Sequence, residues 1–118
     1  MSIRRVVPDL RTEHIAESRD FYTRVLGMDV TMDMGWIVFL VSPSNPTAQV
    51  QLMTHDATAP IVPEVTIEVQ DVDAVHADAV RFGARIVYPL TDEPWGVRRF
   101  FVADPGGTVI NVMMHGSG

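Results

Sequence analysis

The sequence predicts an α+β domain built from two βαβββ modules. The main observation is an internal repeat. Residues 6–33 read VVPDLRTEHIAESRDFYTRVLGMDVTMD, and residues 65–92 read VTIEVQDVDAVHADAVRFGARIVYPLTD. Each copy runs in the order strand, helix, glycine, strand, and further strand-like segments follow each copy. Chance similarity between two unrelated α+β units is the alternative interpretation.

Both helices are predicted from apolar residues at near-helical spacing. These residues are Ile15, Tyr22, Val25 and Leu26 in the first helix, and Val72, Val75, Ala79 and Phe82 in the second. Thr12 is the expected N-cap of the first helix, and Asp71 or Asp73 that of the second. Gly27 and Gly83 follow the two patterns, where a left-handed residue is easiest for glycine. We expect both stripes to pack on a sheet, with a partner-helix interface as the alternative.

The remaining segments read as strands. In the first half these are residues 28–34, which alternate polar and apolar, and then residues 36–41 and 48–54. Gly35 marks a turn, SPSNPT at 42–47 is predicted to be a loop, and residues 56–60 a linker. The second half repeats the order, with strands near 65–69, 85–88, 98–102 and 108–113. Residues 104–107, reading Asp-Pro-Gly-Gly, are typical of a hairpin turn.

Alternation along three of these strands separates an aliphatic face from a mixed polar face. The aliphatic side carries Val50, Leu52, Val65, Ile67, Val69, Ile110 and Val112, and we expect it to meet the helices. The other side carries Gln49, Gln51, Met53, Glu64, Thr66, Glu68, Gln70, Val109, Asn111 and Met113. This mixed face is either simply solvent-exposed, as in many antiparallel sheets, or lines a small-molecule site. Methionine suits a ligand surface because its side chain adapts its shape.

Composition narrows the function classes. The chain has 118 residues, enough for one domain (1–118) with its own core, and it is 47% hydrophobic and 20% charged. A net charge of −6 argues against a nucleic-acid partner. Without cysteine, the chain has no disulfide framework and no thiolate zinc site. There is no signal-peptide pattern and no apolar run of roughly 20 residues that could span a bilayer. We therefore expect a soluble, cytoplasmic protein without membrane contact.

Three segments carry a resemblance to a known family. They are RDFYTRVLGMDV at 19–30, VTIEVQDV at 65–72 and EPWGVRRFFVADPGGTVINV at 93–112. In this order and spacing they resemble the vicinal oxygen chelate superfamily, which includes glyoxalase I, bleomycin-resistance and extradiol-dioxygenase proteins. The resemblance implies a cupped, mostly antiparallel mixed sheet with the helices on its convex side. It also implies modules at about 1–57 and 58–118, and a homodimer.

The resemblance further implies four metal-ligand positions, one on each of four strands, usually occupied by His, Gln or Glu. In this chain the matching positions hold Val7, Gln51, Glu64 and Asn111. One carboxylate and two neutral amides do not make a tight transition-metal site. We therefore expect a member that lacks most of the metal ligands and uses no metal or other cofactor. Of the four histidines, only His55, just after a strand, is a candidate for the rim of the cup.

Other side chains complete the expected ligand-binding set. Trp95, in the Pro-Trp-Gly element, and Trp36, in the corresponding region of the first half, are candidates for stacking on a flat ligand. Met53 shares the mixed face with Gln51. Arg98 and Arg99 should lie on opposite faces of one strand, and Arg98 matches the arginine that often follows Pro-Trp-Gly in the family. A structural ion pair is the alternative role for Arg98.

The resulting functional hypothesis is a metal-independent binder of a small molecule, an antibiotic or an aromatic metabolite, of the glyoxalase/bleomycin resistance type. The ligand-binding residues would be Gln51, Glu64, Asn111, Trp95, Trp36, Met53, Arg98 and His55. Two enzyme alternatives remain open. One is a metal-dependent lyase, isomerase or dioxygenase of the same superfamily. The other is a metal-free isomerase that uses a carboxylate such as Glu64 as its base.

Overall fold

The computed structural model describes residues 2–116, which form eight strands and two helices. In chain order the elements are β1 Ile3–Arg11, α1 Ile15–Arg24, β2 Asp29–Asp33, β3 Ile37–Ser42, β4 Asn45–Met53, β5 Val65–Val69, α2 Val72–Phe82, β6 Arg85–Asp92, β7 Val97–Ala103 and β8 Val109–His115. This order repeats βαβββ twice and confirms the predicted α+β class. Neither helix within residues 2–116 is long and apolar enough to cross a membrane.

The chain divides into two compact units. The N-terminal unit comprises Val7–Val62, and the C-terminal unit comprises the residues up to Val6 together with those from Pro63 onward. Strand β1 therefore contributes to both. The strand order is β2-β3-β4-β1 in the N-terminal unit and β1-β5-β8-β7-β6 in the C-terminal unit. The pairs β1–β4 and β5–β8 are parallel, whereas β2–β3, β3–β4, β6–β7 and β7–β8 are antiparallel. The predicted mixed, mostly antiparallel pairing is confirmed.

Helix α2 covers the aliphatic face of the C-terminal unit. Its residues Val75 and Ala79 pack against a core formed by Val69, Val72, Phe100 and Val112. Asp71 is the N-cap, and its carboxylate accepts a hydrogen bond from the Ala74 amide at 3.1 Å. Gly83 ends the helix at φ +82°. Phe82, which we expected in the packed stripe, is 78% exposed.

Helix α1 covers the corresponding face of the N-terminal unit. Ile15 and Tyr22 pack against the buried cluster Val38, Leu40 and Leu52. The predicted N-cap was wrong, since the helix starts at Ile15 with His14 as its N-cap. Thr12 instead accepts a hydrogen bond from the His14 amide at 2.9 Å. Val25 and Leu26 were wrongly placed in the packed stripe. The helix ends at Arg24, and these two side chains are 64% and 59% exposed.

The predicted loop at 42–47 is in fact a tight turn. Strand β3 continues to Ser42 and β4 already begins at Asn45, so that only Pro43 and Ser44 connect the two strands. Ser42 Oγ accepts the Ser44 amide at 3.3 Å, which supports the turn. Pro46 is tolerated inside β4 because β1 pairs with β4 only at residues 51–53. Its missing N–H therefore costs no hydrogen bond to β1.

Candidate functional site

The C-terminal unit has a mixed polar face on the side of its strands opposite α2. We call it the C-terminal polar face and define it by Thr66, Glu68, Arg99, Phe101, Asn111 and Met113. Strand register aligns these residues in two rows across β5, β8 and β7. Thr66, Asn111 and Phe101 form one row, and Glu68, Met113 and Arg99 form the other. They alternate with Ile67, Phe100 and Val112, which pack towards the helix, so the predicted separation of faces holds here.

Asn111 has an acceptor that no hydrogen bond satisfies. Its side-chain amide donates to Thr66 Oγ1 at 3.1 Å, and the residue is only 8% exposed. Asn111 Oδ1 is buried and has no hydrogen-bond partner within residues 2–116. Burying such an acceptor unsatisfied costs about 1–3 kcal/mol. A ligand N–H or O–H group that reached this oxygen would recover that free energy.

Arg99 and Glu93 form a buried ion pair beside this face. Arg99 Nε donates to Glu93 Oε2 at 2.6 Å, and the two side chains are 4% and 2% exposed. The Tyr88 hydroxyl donates to the same carboxylate oxygen at 3.1 Å. The guanidinium carbon lies 4.9 Å from the Phe101 ring centroid, 5.2 Å from that of Trp95 and 5.4 Å from that of Tyr88. A desolvated cation so close to three aromatic faces is held by cation–π attraction.

The turn between β6 and β7 positions Trp95 in this cluster. The Glu93 amide donates to the Val97 carbonyl at 2.7 Å, and the Gly96 amide donates back to the Glu93 carbonyl at 3.1 Å. Gly96 has φ +87°, a conformation that favours glycine. Its carbonyl accepts the Gly116 amide at 2.6 Å, which ties the turn to the end of β8. Trp95 is half-buried as a result, with its ring against Arg99.

Arg98 lies on the other side of β7, as the alternation predicted. It binds Asp73 at the start of α2, with an Nη2–Oδ1 distance of 2.8 Å, and Asp92 at 3.1 Å. The hydrogen bond from Arg98 lowers the pKa of Asp73 below its ordinary value of 3.8. The hydrogen bonds that Arg98 donates to Asp73 and then to Asp92 raise the pKa of Arg98. The structure therefore gives Arg98 two carboxylate partners on the helix side, and Arg99 is the arginine of this strand beside the polar face.

Two glutamates, Glu68 on the C-terminal polar face and Glu64 before β5, already bind other groups of the protein. Glu68 binds Arg5 Nε at 2.9 Å and His115 Nδ1 at 3.1 Å, and its side chain is 16% exposed. Glu64 precedes β5 and is exposed, and its Oε2 accepts the Val109 amide at 2.7 Å. Each of these carboxylates has a structural partner.

The N-terminal unit has its own mixed face opposite α1, the N-terminal polar face, defined by Val7, Asp9, Phe39, Gln51 and Met53. Register pairs Asp9 and Phe39 with Gln51 on either side. Gln51 and Met53 are 5% and 3% exposed, so these two predicted ligand residues share one buried face. Trp36 and His55 lie together beyond the strand ends, with ring centroids 6.1 Å apart.

Sequence reasoning missed several residues of these faces. Tyr88, Glu93 and Arg99 were not among the predicted ligand residues, and neither was Thr66, although it was assigned to the mixed face. The alternation of side chains along β7 puts Arg99 and Phe101 on one face, and this pattern could have identified Arg99 from the sequence. The contact between Arg99 and Glu93 had no comparable signal, because it depends on how the β6–β7 turn folds back.

A scan against protein-family models matches residues 2–112 to the Glyoxalase/Bleomycin resistance protein/Dioxygenase superfamily. The chain belongs to this superfamily. No curated protein sequence matches it. The resemblance seen in the three sequence segments is therefore confirmed at the level of the family.

Several solved structures share the fold of this chain. A member from Vibrio splendidus 12B01 is 21% identical, with a TM-score of 0.73 over 96% of this chain and 99% of its own. The methylmalonyl-CoA epimerase of Mycobacterium tuberculosis is 20% identical, with a TM-score of 0.67 over 96% and 87%. A structure named as NAD-dependent benzaldehyde dehydrogenase from Legionella pneumophila is 16% identical, with a TM-score of 0.75 over 93% and 98%. At these identities the likeness shows the fold alone.

The residues of this superfamily member do not fit a metal ion. Val7, at the first matched ligand position, is apolar and 0% exposed. Gln51 and Asn111 offer only neutral amide oxygens, and the carboxylate of Glu64 binds a backbone amide. Residues 2–116 contain no group of three or more His, Cys, Asp or Glu side chains that could hold a metal. Transition-metal sites need imidazole or several carboxylates, so this donor set is inadequate.

Proposed function

We propose that this protein binds a small organic molecule without a metal ion, as a binding protein of the glyoxalase/bleomycin resistance type. The observation that carries the proposal is Asn111. It stands at a position matched to a metal ligand, yet it presents a buried amide oxygen with no hydrogen-bond partner within residues 2–116. Such an oxygen is suited to accept a hydrogen bond from a ligand and unsuited to hold a transition metal.

The surroundings of Asn111 indicate the class of ligand. Phe101 and Met113 are its neighbours on the C-terminal polar face and are 0% and 5% exposed. Trp95 adds a half-buried aromatic ring near Phe101 through their shared contact with Arg99. Buried apolar neighbours around one hydrogen-bond acceptor favour a flat, mostly apolar molecule that carries an N–H group. The net charge of −6 favours a cationic ligand over an anionic one at long range. An amine-bearing antibiotic or an aromatic metabolite meets these requirements.

The enzyme alternatives have weaker support. A metal-dependent lyase, isomerase or dioxygenase needs donors that Val7, Gln51, Glu64 and Asn111, at the matched ligand positions, do not offer. Methylmalonyl-CoA epimerases are among the solved structures that share the fold, but the likeness is below 25% identity and brings no activity with it. The candidate carboxylate bases are Asp9, Glu64 and Glu68. Asp9 is buried on the N-terminal polar face, and Glu64 and Glu68 already accept hydrogen bonds within the C-terminal unit. Glu64→Gln should therefore leave ligand affinity unchanged. It should also cause no loss of turnover, which a carboxylate-based isomerase would show.

The first experiment measures metal content and ligand binding on the same preparation. Protein purified without a chelator or an affinity tag is analysed by elemental mass spectrometry, and we expect only substoichiometric metal. A tryptophan-quenching screen of aromatic antibiotics then identifies a ligand. Asn111→Leu should weaken its binding by about tenfold, because a charge-assisted or buried hydrogen bond is lost. Asn45→Leu, at an exposed position on β4, is the matched control and should bind normally.

Two outcomes would reject the proposal. One is close to one equivalent of nickel, zinc, iron or manganese per chain. The other is equal ligand affinity in Asn111→Leu and the native protein, which would place the ligand away from Asn111.

We include a homodimer and a cytoplasmic location in the proposal. The dimer is supported by the exposed apolar side chains of β2, an edge strand of the N-terminal unit, where Val30 and Met32 are 40% and 52% exposed.

A further inference from the structure

A surface pocket of about 500 Å³ lies in the N-terminal unit at the end of β4. We call it the β4-end pocket. It is lined by Arg11, Thr54, His55, Asp56, Ala59, Pro60, Ile61 and Val62. Small-molecule sites typically enclose about 300–1,000 Å³ and combine an apolar lining with a few polar groups. The β4-end pocket has a volume in this range, and its lining divides evenly between four polar or charged and four apolar residues. None of its residues belongs to the C-terminal polar face.

The apolar wall of this pocket is held in place by its own loop. Asp56 Oδ1 accepts the backbone amides of Thr58 and Ala59 at 3.1 and 2.9 Å. Asp56 and Ala59 are each 8% exposed, so the turn is packed against the rest of the unit. The carboxylate of Asp56 is thus directed at the backbone of the loop. Beyond the turn, Pro60 and Ile61 offer exposed apolar surface, with Ile61 40% exposed.

The cation of the pocket is Arg11, at the end of β1. Its register partner is Met53, the last residue of β4, which places it beside the loop that begins at Thr54. Within residues 2–116 its ion-pair partner is Glu13, at 3.9 Å, and the two side chains are 64% and 77% exposed. A pair this long and this exposed is worth little. The guanidinium therefore retains donors for a ligand carboxylate, which it can bind through two parallel hydrogen bonds.

His55 provides a second donor. Its Nδ1 is hydrogen-bonded to Thr54 Oγ1 at 2.8 Å, and its ring lies against Trp36. When the Thr54 hydroxyl donates to Nδ1, the proton of the neutral ring is on Nε2, which is then a donor. This Nε2 donor can assist Arg11.

We propose that the β4-end pocket binds a small monocarboxylate, with Arg11 and His55 on the carboxylate and the Pro60–Ile61 wall against its apolar body. This site is separate from the proposed function and does not depend on it. An anion is favoured over a cation because the one carboxylate in the lining, that of Asp56, is turned to backbone amides. Apolar contact with the wall selects a compact aromatic or branched aliphatic acid over formate or acetate.

Benzoate is the probe, and benzamide, which has the same shape without the charge, is its control. Each is titrated into ¹⁵N-labelled protein while the two tryptophan indole N–H signals are followed, with Trp36→Phe used to assign them. We expect benzoate to shift the Trp36 signal saturably, because His55 links Trp36 to the pocket, and benzamide to bind about tenfold more weakly. Arg11→Gln should weaken benzoate binding by a similar factor. Arg24→Gln, an exposed arginine in the last turn of α1, should have no effect.

Three results would overturn the inference: no saturable shift with benzoate, equal binding of benzoate and benzamide, or equal binding by Arg11→Gln and the native protein. Because Arg11 is exposed, its replacement should leave the fold intact, which thermal unfolding verifies. The Asn111→Leu variant separates this site from the proposed function. It should keep benzoate binding even if its affinity for an aromatic antibiotic is lost.

Discussion

Arg99 and Glu93 form a 2.6 Å ion pair whose two side chains are 4% and 2% exposed. They are six positions apart in sequence, and the turn between β6 and β7 brings them together. The same pair contacts Tyr88 and Trp95, so it holds the aromatic side chains next to the C-terminal polar face. It therefore links the stability of this unit to the shape of its candidate ligand surface.

Removal of one partner of this pair should be costly. Glu93→Ala removes the carboxylate that accepts the hydrogen bond from Arg99 Nε, and loss of one partner of a buried pair typically costs about 3–5 kcal/mol. We expect a loss of this size in the free energy of unfolding, measured by urea denaturation. The neighbouring Asp92→Ala is the control. Its side chain is 79% exposed and pairs with Arg98, so little change is expected. Similar losses of unfolding free energy in Glu93→Ala and Asp92→Ala would contradict the assignment of Arg99–Glu93 as a stabilising buried pair.

The Asp73–Arg98 pair should make stability depend on pH at the acidic end. The hydrogen bond from Arg98 lowers the pKa of Asp73 below 3.8 in the folded protein. A carboxyl whose pKa is lower when folded contributes stability above its unfolded pKa. That contribution is lost as the pH falls through the folded value. The effect should therefore appear below pH 3.8, and it should be small and sensitive to salt because the pair is exposed.

This pH effect can be isolated by comparison of two variants. The free energy of unfolding is measured at about pH 5 and about pH 2.5 in low salt, the range over which a lowered carboxyl pKa acts. Asp73→Asn should lose less stability between the two conditions than the native protein. Asp20→Asn, on the exposed part of α1, should lose as much as the native protein. If the native protein and Asp73→Asn lost equal free energy of unfolding at the acidic pH, the Asp73–Arg98 pair would contribute nothing to stability.

Gly83 should be intolerant of a side chain despite open space around it. A Cβ at this position would meet nothing within 4 Å, but its φ is +82°. Alanine in this left-handed conformation costs about 1–2 kcal/mol, so Gly83→Ala should lower the free energy of unfolding by roughly that amount. Gly106→Ala is the control. Gly106 has no positive φ, and its Cβ would lie at an ordinary 3.4 Å from Asp104 Oδ1. Thermal unfolding of both variants tests whether backbone strain alone explains the difference in stability between them.

The proposed homodimer is testable through Met32. This side chain is 52% exposed on β2, and Phe21, at 51%, adds exposed apolar surface on α1. Charged residues on an edge strand oppose edge-to-edge association, so Met32→Glu should convert a dimer to a monomer. Light scattering after size exclusion gives the mass directly. Val80→Glu, at a 56% exposed position on α2, should leave the mass unchanged. A native protein that is monomeric at all concentrations would remove the dimer from the proposal.

Local patterns in the sequence were sufficient to predict much of the fold. The period of two in β7 correctly separated Arg98 from Arg99, because neighbouring side chains on a strand must point to opposite faces. The sequence predicted Asp71 or Asp73 as the start of α2 and Gly83 as its end. Asp71 and Gly83 are the observed caps, and these roles depend only on nearby backbone groups. The repeat and the three family segments predicted the α+β class and the superfamily. The strand and cap inferences needed only residues within a turn or a strand of one another, whereas the repeat and the family segments were recognised by comparing segments along the whole sequence.

Tertiary structure alone decided which polar groups meet. Thr66 and Asn111 are 45 residues apart and become partners only through the register of β5 and β8. Arg99 reaches Glu93 because of the path of the β6–β7 turn, and Arg11 lies beside the loop after β4 because β1 and β4 pair in parallel. Hydrogen bonds and ion pairs act over about 3 Å, so their partners depend on strand register and loop path. Those features come from packing across the whole chain, which local sequence patterns do not specify.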